Sequence, residues 1–525
     1  MAESRSKKSA KNMMAGFLYQ ALILILSFIS RTVFIYALGT EYLGLNGIFA
    51  DVIQLLSMAD LGFGTAMAYS FYKPLAEHDE ARIRALVNFY RNVYRIIACA
   101  VLMLGLLCIP FLPMLVNTQE KIQHLTLYYL FSLAGVVISY LFVYKTTLMT
   151  ADQKNYKLVR IQMWTSTAKT LLQILLLVLW KNYIVYLIIG VATQFLNNLI
   201  SSRMTEKEYP YLLRKEKNDK VRDDIQKSII MNMKSVFVYK FSSILFTATD
   251  NILISIITGT AMVGLYSNYL MVSNKLLLIE QIVFSSLTAS VGNVIVKECC
   301  EKRFHVFQAM QSASFIFCGI ITSCFCLLVN DLICVWLGKP FQLSLLTVVA
   351  ISLNTYFSCV LQPLWIYRDA TGLYKKTKYV MLAGAIMNII LSLLLGKMIG
   401  IAGIIGASAI SRICTYFWYE PRLLYREYFQ EKVTNYFLSI LWNLLLVIGV
   451  VGICYAATSK IAVNNWGILI IKAFVIGIVC CVVFLCAYAR TDGFQILMRK
   501  VKQLLTGLQI HHSLVPNKTN EGTEK

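Results

Sequence analysis

Residues 13–38 read MMAGFLYQALILILSFISRTVFIYAL, an apolar run of 26 residues broken only by Gln20, Ser27, Ser30, Arg31 and Thr32. A helix needs about 20 such residues to cross the hydrocarbon layer of a bilayer, so this run predicts a spanning helix. The preceding Arg5, Lys7, Lys8 and Lys11 imitate the basic start of a secretory leader. The apolar run is too long for a leader, however, and no A-x-A cleavage pattern closes it, so the first-span reading is preferred.

Outward from this run the same pattern recurs. Of 525 residues 58% are hydrophobic and only 14% charged, with a mean hydropathy of +0.64. That composition lies outside the range of an ordinary soluble domain. Fourteen runs of spanning length are found, at 13–38, 44–70, 92–116, 122–148, 158–180, 183–203, 232–257, 262–290, 307–329, 341–367, 378–396, 400–420, 435–457 and 465–489. The loops between them alternate in charge: one set holds 35 Lys/Arg, the other only Lys121, Lys181, Lys339, Lys397 and Lys460. Positive loops resist translocation, so both termini are expected on the cytoplasmic side. The basic surplus therefore belongs to membrane topology, and no nucleic-acid partner is expected. The 14 cysteines lie singly or as neighbours in apolar runs, without zinc-type spacing, so neither a metal site nor a disulfide framework is expected.

Sliding the chain along itself by 220 positions reveals a repeat. Asn12, Met13, Phe17, Tyr19, Gly39, Thr40, Gly44 and Leu45 fall on Asn232, Met233, Phe237, Tyr239, Gly259, Thr260, Gly264 and Leu265. The expected fold is accordingly all-α and integral to the membrane, with about fourteen transmembrane helices in two pseudo-symmetric six-helix lobes plus two C-terminal helices. Its segments are an N-lobe (1–203), a cytoplasmic linker (204–231), a C-lobe (232–420), the last two spans (421–489) and a cytoplasmic tail (490–525). Parallel repeats of this kind predict a cavity between the lobes and suit alternating access.

Charge inside hydrocarbon is costly and points to function. Arg95, Lys145, Lys234 and Lys472 lie near span ends, where they can snorkel, and are assigned no role. The remaining in-span bases, Arg31, Lys169, Lys240, Lys275 and Arg412, are candidates for a cationic cavity. Gln20, Ser27 and Arg31 share one helical stripe, and Lys240, Thr247 and Asn251 form the repeat-equivalent stripe. A shared wet cleft or polar glue between helices explains such stripes. Asp60 and Glu280, again 220 apart, are carboxylates that either neutralise a buried base or carry a coupling ion. Asp250 is a further such carboxylate and, from its depth, a partner for Arg31. No catalytic residue is expected.

Several motifs resemble the polysaccharide or oligosaccharide-lipid flippases (Wzx-type) of the MATE-like MOP superfamily. They are Ser30-Arg31, LGTEYLGLNGIF (38–49), LSMADLGFG (56–64) and ADQKNYK (151–157), within a fourteen-helix plan that covers nearly the whole chain. The resemblance implies export of an undecaprenyl-pyrophosphate-linked sugar unit across a bacterial plasma membrane. It also implies a cationic cavity, a coupling ion (H+ or Na+), no other cofactor, and membrane lipids and other polysaccharide-assembly proteins as partners. Two phosphates need positive charge where water is scarce. A lipid II flippase has a similar cargo. A drug or cation antiporter of the same superfamily would need carboxylates in a cavity poor in bases, whereas nine in-span bases stand against four acids here. Short outer loops argue against a membrane glycosyltransferase or polymerase, and a non-transporting assembly scaffold would leave the buried charge without a purpose.

Overall fold

The computed structural model describes residues 5–60, 63–118, 122–214, 237–285 and 287–499. Most of the expected linker, the tail from residue 500, and the side chains of Gln20, Asp60 and Lys234 lie outside the described residues.

The described residues are helical, with no strand among them. In the first half the helices are α1 (Arg5–Leu38), α2 (Thr40–Leu56), α3 (Phe63–Ala76), α4 (Glu80–Leu107), α5 (Leu125–Tyr140), α6 (Val143–Ala151), α7 (Asn155–Trp180) and α8 (Tyr183–Glu208). In the second half they are α9 (Asp250–Thr258), α10 (Thr260–Ser285), α11 (Thr288–Lys297), α12 (Cys300–Leu337), α13 (Leu345–Val360), α14 (Gln362–Thr371), α15 (Tyr374–Ile399), α16 (Ile401–Cys414), α17 (Tyr416–Leu424), α18 (Thr434–Thr458) and α19 (Trp466–Tyr488). Among the described residues nine helices are long and apolar enough to cross a membrane, or up to twelve if each of three bent pairs is one span, a count compatible with the expected plan. Helices suit this solvent because every backbone group is satisfied within its own segment. The outer faces carry bare aliphatic side chains, as at Leu171, Leu175 and Val178 of α7 and Ile470, Ile471 and Phe474 of α19. In water such patches would aggregate; against lipid they cost nothing.

Helix ends are set by local chemistry. The Asp79 carboxylate accepts from the amide of Arg82 at 2.9 Å and starts α4, and Asn182 caps α8 through the amide of Ile184 at 2.8 Å. Lys181 takes a left-handed conformation (φ 48°) between α7 and α8.

The repeated turn is where sequence and structure meet most directly. Gly39 (φ 90°) separates α1 from α2, and Gly259 (φ 104°) separates α9 from α10. This backbone region is closed to most side chains, which explains glycine at both copies. Gly44 then rests on the backbone of Thr260, and Gly264 rests on the backbone of Thr40. A Cβ at either glycine would overlap the facing carbonyl. The two copies of the G-T-x3-G-L turn thus lie against each other reciprocally. Thr260 is further held by its amide, which donates to the carbonyl of Asn117 at 2.7 Å.

By internal contact the chain divides into two compact units. The first comprises residues 1–271, 340–350 and 374–416; the second comprises 272–339, 351–373 and 417–525. In the first, α15 and α16 form a hairpin turned at Gly400 (φ 63°), with Gly403 set against the backbone of Leu395. In the second, α12 holds α18 and α19: the Asn443 amide donates to the Phe315 carbonyl at 3.3 Å and to the Tyr488 hydroxyl at 2.8 Å. Gly319 is covered by the Phe484 ring.

Two bases expected simply to snorkel are instead paired. The Lys472 ammonium donates to Asp331 at 2.7 Å, with only 9% of its side chain exposed. Lys145 donates to Ser202 at 3.0 Å and to Glu206. Each carboxylate sits just beyond the end of a predicted apolar run, and the helices continue far enough to bring it within reach.

Candidate substrate cavity

Within the first unit, α1, α2, α7, α8 and α10 line a partly open cavity of about 710 Å³. Its polar wall is formed by Ser27, Ser30 and Arg31 of α1, Asn46 of α2, Gln162, Ser166, Lys169, Thr170 and Gln173 of α7, and Tyr186 of α8. Met271 is the one lining residue from the second half of the sequence. The spacing of Gln162, Ser166, Lys169 and Gln173, at intervals of four, three and four, places them on one face of α7.

Arg31 is held at the edge of this space. Its Nη1 donates to the Ser267 hydroxyl at 3.1 Å and its Nη2 to the Ser267 carbonyl at 3.3 Å. The Ser267 hydroxyl in turn donates to the carbonyl of Gly264 at 2.7 Å, so the arginine is tied to the reciprocal glycine contact. Lys169 faces the same cavity, and no carboxylate pairs with either base among the described residues. One wall is aromatic: Phe34 meets Tyr186 edge-on with ring centroids 5.0 Å apart, and Tyr183 stacks on Tyr186 at 6.0 Å. Among the described residues no carboxylate lines the cavity. Two unpaired cations in a space of low dielectric attract an anion strongly, since at an effective dielectric near 20 two unit charges about 4 Å apart gain about 4 kcal/mol.

Other candidate residues fall elsewhere. Asp250 does not meet Arg31. Its Oδ2 accepts from the Ser408 hydroxyl at 3.4 Å, while Oδ1 has no partner of hydrogen-bond geometry. Ser408 also donates to Asn388 Oδ1 at 3.2 Å, and the Asn388 amide donates to the Phe246 carbonyl at 3.0 Å. Arg412 lies over the Phe246 ring at 5.4 Å and acts electrostatically on Asp250. Asp51, on α2, faces Asn251 and Asp250. The result is a buried polar cluster drawn from α2, α9, α15 and α16, separate from the lining of the 710 Å³ cavity.

Lys240 is half-buried and does not line that cavity. Thr247 is exposed and donates back to its own helix, to the Ser243 carbonyl at 3.2 Å. In the second unit, Lys275 is half-buried, and Glu280 is buried beside Ser314 and Cys359. Asp60 ends the short helical turn Ser57–Asp60.

An all-helical bundle with lipid-facing aliphatic surfaces and a cationic cavity defines a multi-pass membrane protein. The chain belongs to the family described as polysaccharide biosynthesis protein, whose family model matches residues 9–292. Among curated proteins no sequence matches. In fold the chain is similar to "Lipid II flippase MurJ, inward closed conformation", at 16% identity and a TM-score of 0.61 over 92% of this chain and 99% of that one. It is also similar to an inward-facing "multidrug resistance MATE family transporter of the MOP superfamily", at 12% identity and a TM-score of 0.56 over 76% of this chain and 94% of that one. In fold the chain is thus MATE-like, as the sequence motifs imply.

Proposed function

We propose that this protein is a flippase that carries a polyprenyl-pyrophosphate-linked oligosaccharide from the inner to the outer leaflet of a bacterial plasma membrane by alternating access. The observation that carries the reading is the pair Arg31 and Lys169, facing one 710 Å³ cavity that no carboxylate lines. A pyrophosphate headgroup is the kind of ligand such a cavity stabilises, and an organic cation is the kind it repels. Family membership agrees with a cargo used in polysaccharide assembly. Cytoplasmic placement of both termini is supported by the 35 to five distribution of Lys/Arg between alternate loops.

Drive by an ion gradient, H+ or Na+, is supported by the buried Asp250, with Ser408 and Asn388 around it. Intramembrane carboxylates with polar neighbours serve such coupling in transporters. The experiment is reconstitution into proteoliposomes carrying the lipid-linked oligosaccharide in both leaflets, with exposure of its glycan to a membrane-impermeant glycosidase as the readout. Accelerated exchange with the protein present is the expected result. Exchange at the protein-free rate, together with uptake of an organic cation, overturns the reading in favour of an antiporter. Lipid II in a parallel arm separates the two flippase cargoes.

A further inference from the structure

Two more cavities, of about 350 and 360 Å³, lie in the same first unit beside the cationic one. The nearer shares Asn46, Lys169, Gln173 and Tyr186 with the cationic cavity. The farther shares Val136 and Ser139 with the nearer. The three therefore adjoin in sequence from the cations toward the end of the bundle where α5 meets α6. Each side cavity is of the size that holds a small ligand, roughly 300–1,000 Å³.

Their chemistry changes along this line. Lys169 is the one charged group lining the nearer cavity, and no charged group lines the farther. Hydroxyls and amides remain. Ser132, Ser139 and Thr146 each donate to a carbonyl of their own helix, at 3.2, 2.7 and 3.1 Å, which leaves their oxygens as acceptors. Gln173 spends its amide N–H on the Tyr186 carbonyl at 3.0 Å and offers its oxygen. Asn198, lining the farther cavity, has a buried Nδ2 from which no group among the described residues accepts. An unsatisfied buried donor is costly unless something fills it. Aromatic rings, Phe131 in the nearer cavity and Phe142 in the farther, supply flat apolar contact.

Resting on the reading of Arg31 and Lys169 as the pyrophosphate site, we infer that these side cavities are a subsite for the sugars next to the pyrophosphate, built for neutral sugars. A neutral pyranose matches the wall on every count. Its hydroxyls donate to the row of acceptors, its oxygens accept from Asn198, and its C–H faces lie on the rings. An acyl chain would leave the Asn198 donor unsatisfied. A second anion would find no cation beyond Lys169.

The test measures binding to the full-length protein in lipid nanodiscs with two probes: a bare polyprenyl pyrophosphate, and the same lipid bearing a neutral trisaccharide. Gly190→Leu fills the nearer cavity, where a Cβ stands in ordinary contact with the Gln173 amide at 3.7 Å. Asn198→Ala removes the unfilled donor at almost no change in packing. The wild type should bind the sugar-bearing probe about tenfold more tightly than the bare one, roughly the effect of one or two net hydrogen bonds. Both variants should lose that preference and keep wild-type affinity for the bare probe, with unchanged thermal melting. Equal binding of both probes by the wild type overturns the subsite, as does a preference that survives in Asn198→Ala. Arg31→Ala reads the underlying site separately: bare pyrophosphate binding as tight as wild type would sink the cationic site, whatever the sugar arms report.

Discussion

Gly44 lies directly on the backbone carbonyl of Thr260, and its repeat mate Gly264 makes the same contact with Thr40. Two helices that meet without side chains between them close that end of the bundle as tightly as backbones allow. The proposed alternating access requires α2 to part from α10 here once per cycle. Gly44→Ala and Gly264→Ala should therefore each destabilise this closed arrangement by about 1–3 kcal/mol, the usual cost of overpacking. Hydrogen exchange should rise in residues 39–45 and 259–265, with a fall in flipping rate. Unchanged protection in these segments would show that the contact is not the closure.

Arg31 and Lys169 share the cavity but are held differently, and this sets the order of their effects. Arg31 is anchored by two hydrogen bonds to Ser267, whereas Lys169 has none of its side chain's donors engaged among the described contacts. Arg31→Ala should weaken binding of the lipid-linked pyrophosphate by on the order of tenfold or more, since a hydrogen bond to a charged group contributes roughly 1.5–3 kcal/mol. Lys169→Ala should cost less, because a flexible ammonium acts as a point charge rather than an oriented fork. Arg31→Lys should restore only part of the loss. Titration calorimetry in nanodiscs orders the three.

Asp250 accepts its hydrogen bond from Ser408 and makes none with Arg31, so the proposed coupling carboxylate stands apart from the proposed cargo site. Asp250→Asn should leave binding of the bare pyrophosphate lipid unchanged and abolish the acceleration that an ion gradient gives to transport. Flipping with and without an imposed gradient, alternately of H+ and Na+, measures this and identifies the ion. Gradient dependence as in the wild type would remove Asp250 from the coupling step.

The repeat, the spans and two of the cavity bases were legible because each rests on a local signal: period, length and charge in an apolar run. Gly39 and Gly259 could be matched by spacing alone, and the backbone explains them by their positive φ. The remaining cavity wall was written as plainly, in the Gln162, Ser166, Lys169 and Gln173 stripe of α7, but neutral polar residues draw less notice than charges. The Asp250 partners were not legible. Asn388 and Ser408 lie far from it in sequence, and nothing local announces that α15 and α16 fold back onto α9. Arg31 and Asp250 take comparable places in their apolar runs, but Arg31 bonds to Ser267 and Asp250 to Ser408, so place in the run alone suggests a pair that does not form.

The motif ADQKNYK ends in a clasp at the foot of α8. The Tyr209 hydroxyl donates to Asp152 at 2.5 Å, and Glu208 accepts from Lys157 and, at 2.9 Å, from Lys154. Burial and the adjoining Asp152 carboxylate push the Tyr209 phenol well above its ordinary value. A raised phenol means the folded state keeps its proton more firmly than the unfolded chain. The clasp's contribution is therefore constant below the ordinary tyrosine value of about 10 and is lost as pH rises past it. Thermal melting of Tyr209→Phe should fall below wild type by an amount that is constant from about pH 6 to 9, and the two curves should converge only at higher pH. Convergence at neutral pH would contradict the raised value.

Lys472 and Asp331 form a half-buried ion pair in the second unit, joining α19 to α12 at 2.7 Å, with side chains 9% and 26% exposed. Such a pair gives little net stability, because desolvation of both ions offsets most of their attraction. Removing one partner alone leaves an uncompensated charge and costs up to about 3 kcal/mol, the lower end of the range for buried pairs, because both groups keep some contact with solvent. Asp331→Leu, which strands the more buried ammonium, should therefore lower the melting temperature in detergent the more, and Lys472→Met should do the same to a lesser degree, since the carboxylate it leaves is the more exposed partner. The double variant should recover most of the loss, because two apolar side chains of similar size leave no charge to solvate. A double variant as unstable as Lys472→Met would mean that the lysine acts through the apolar packing of its stem rather than through the pair. Equal stability in all four proteins would place both charges in contact with water and the lipid headgroups, where the pair has no work to do.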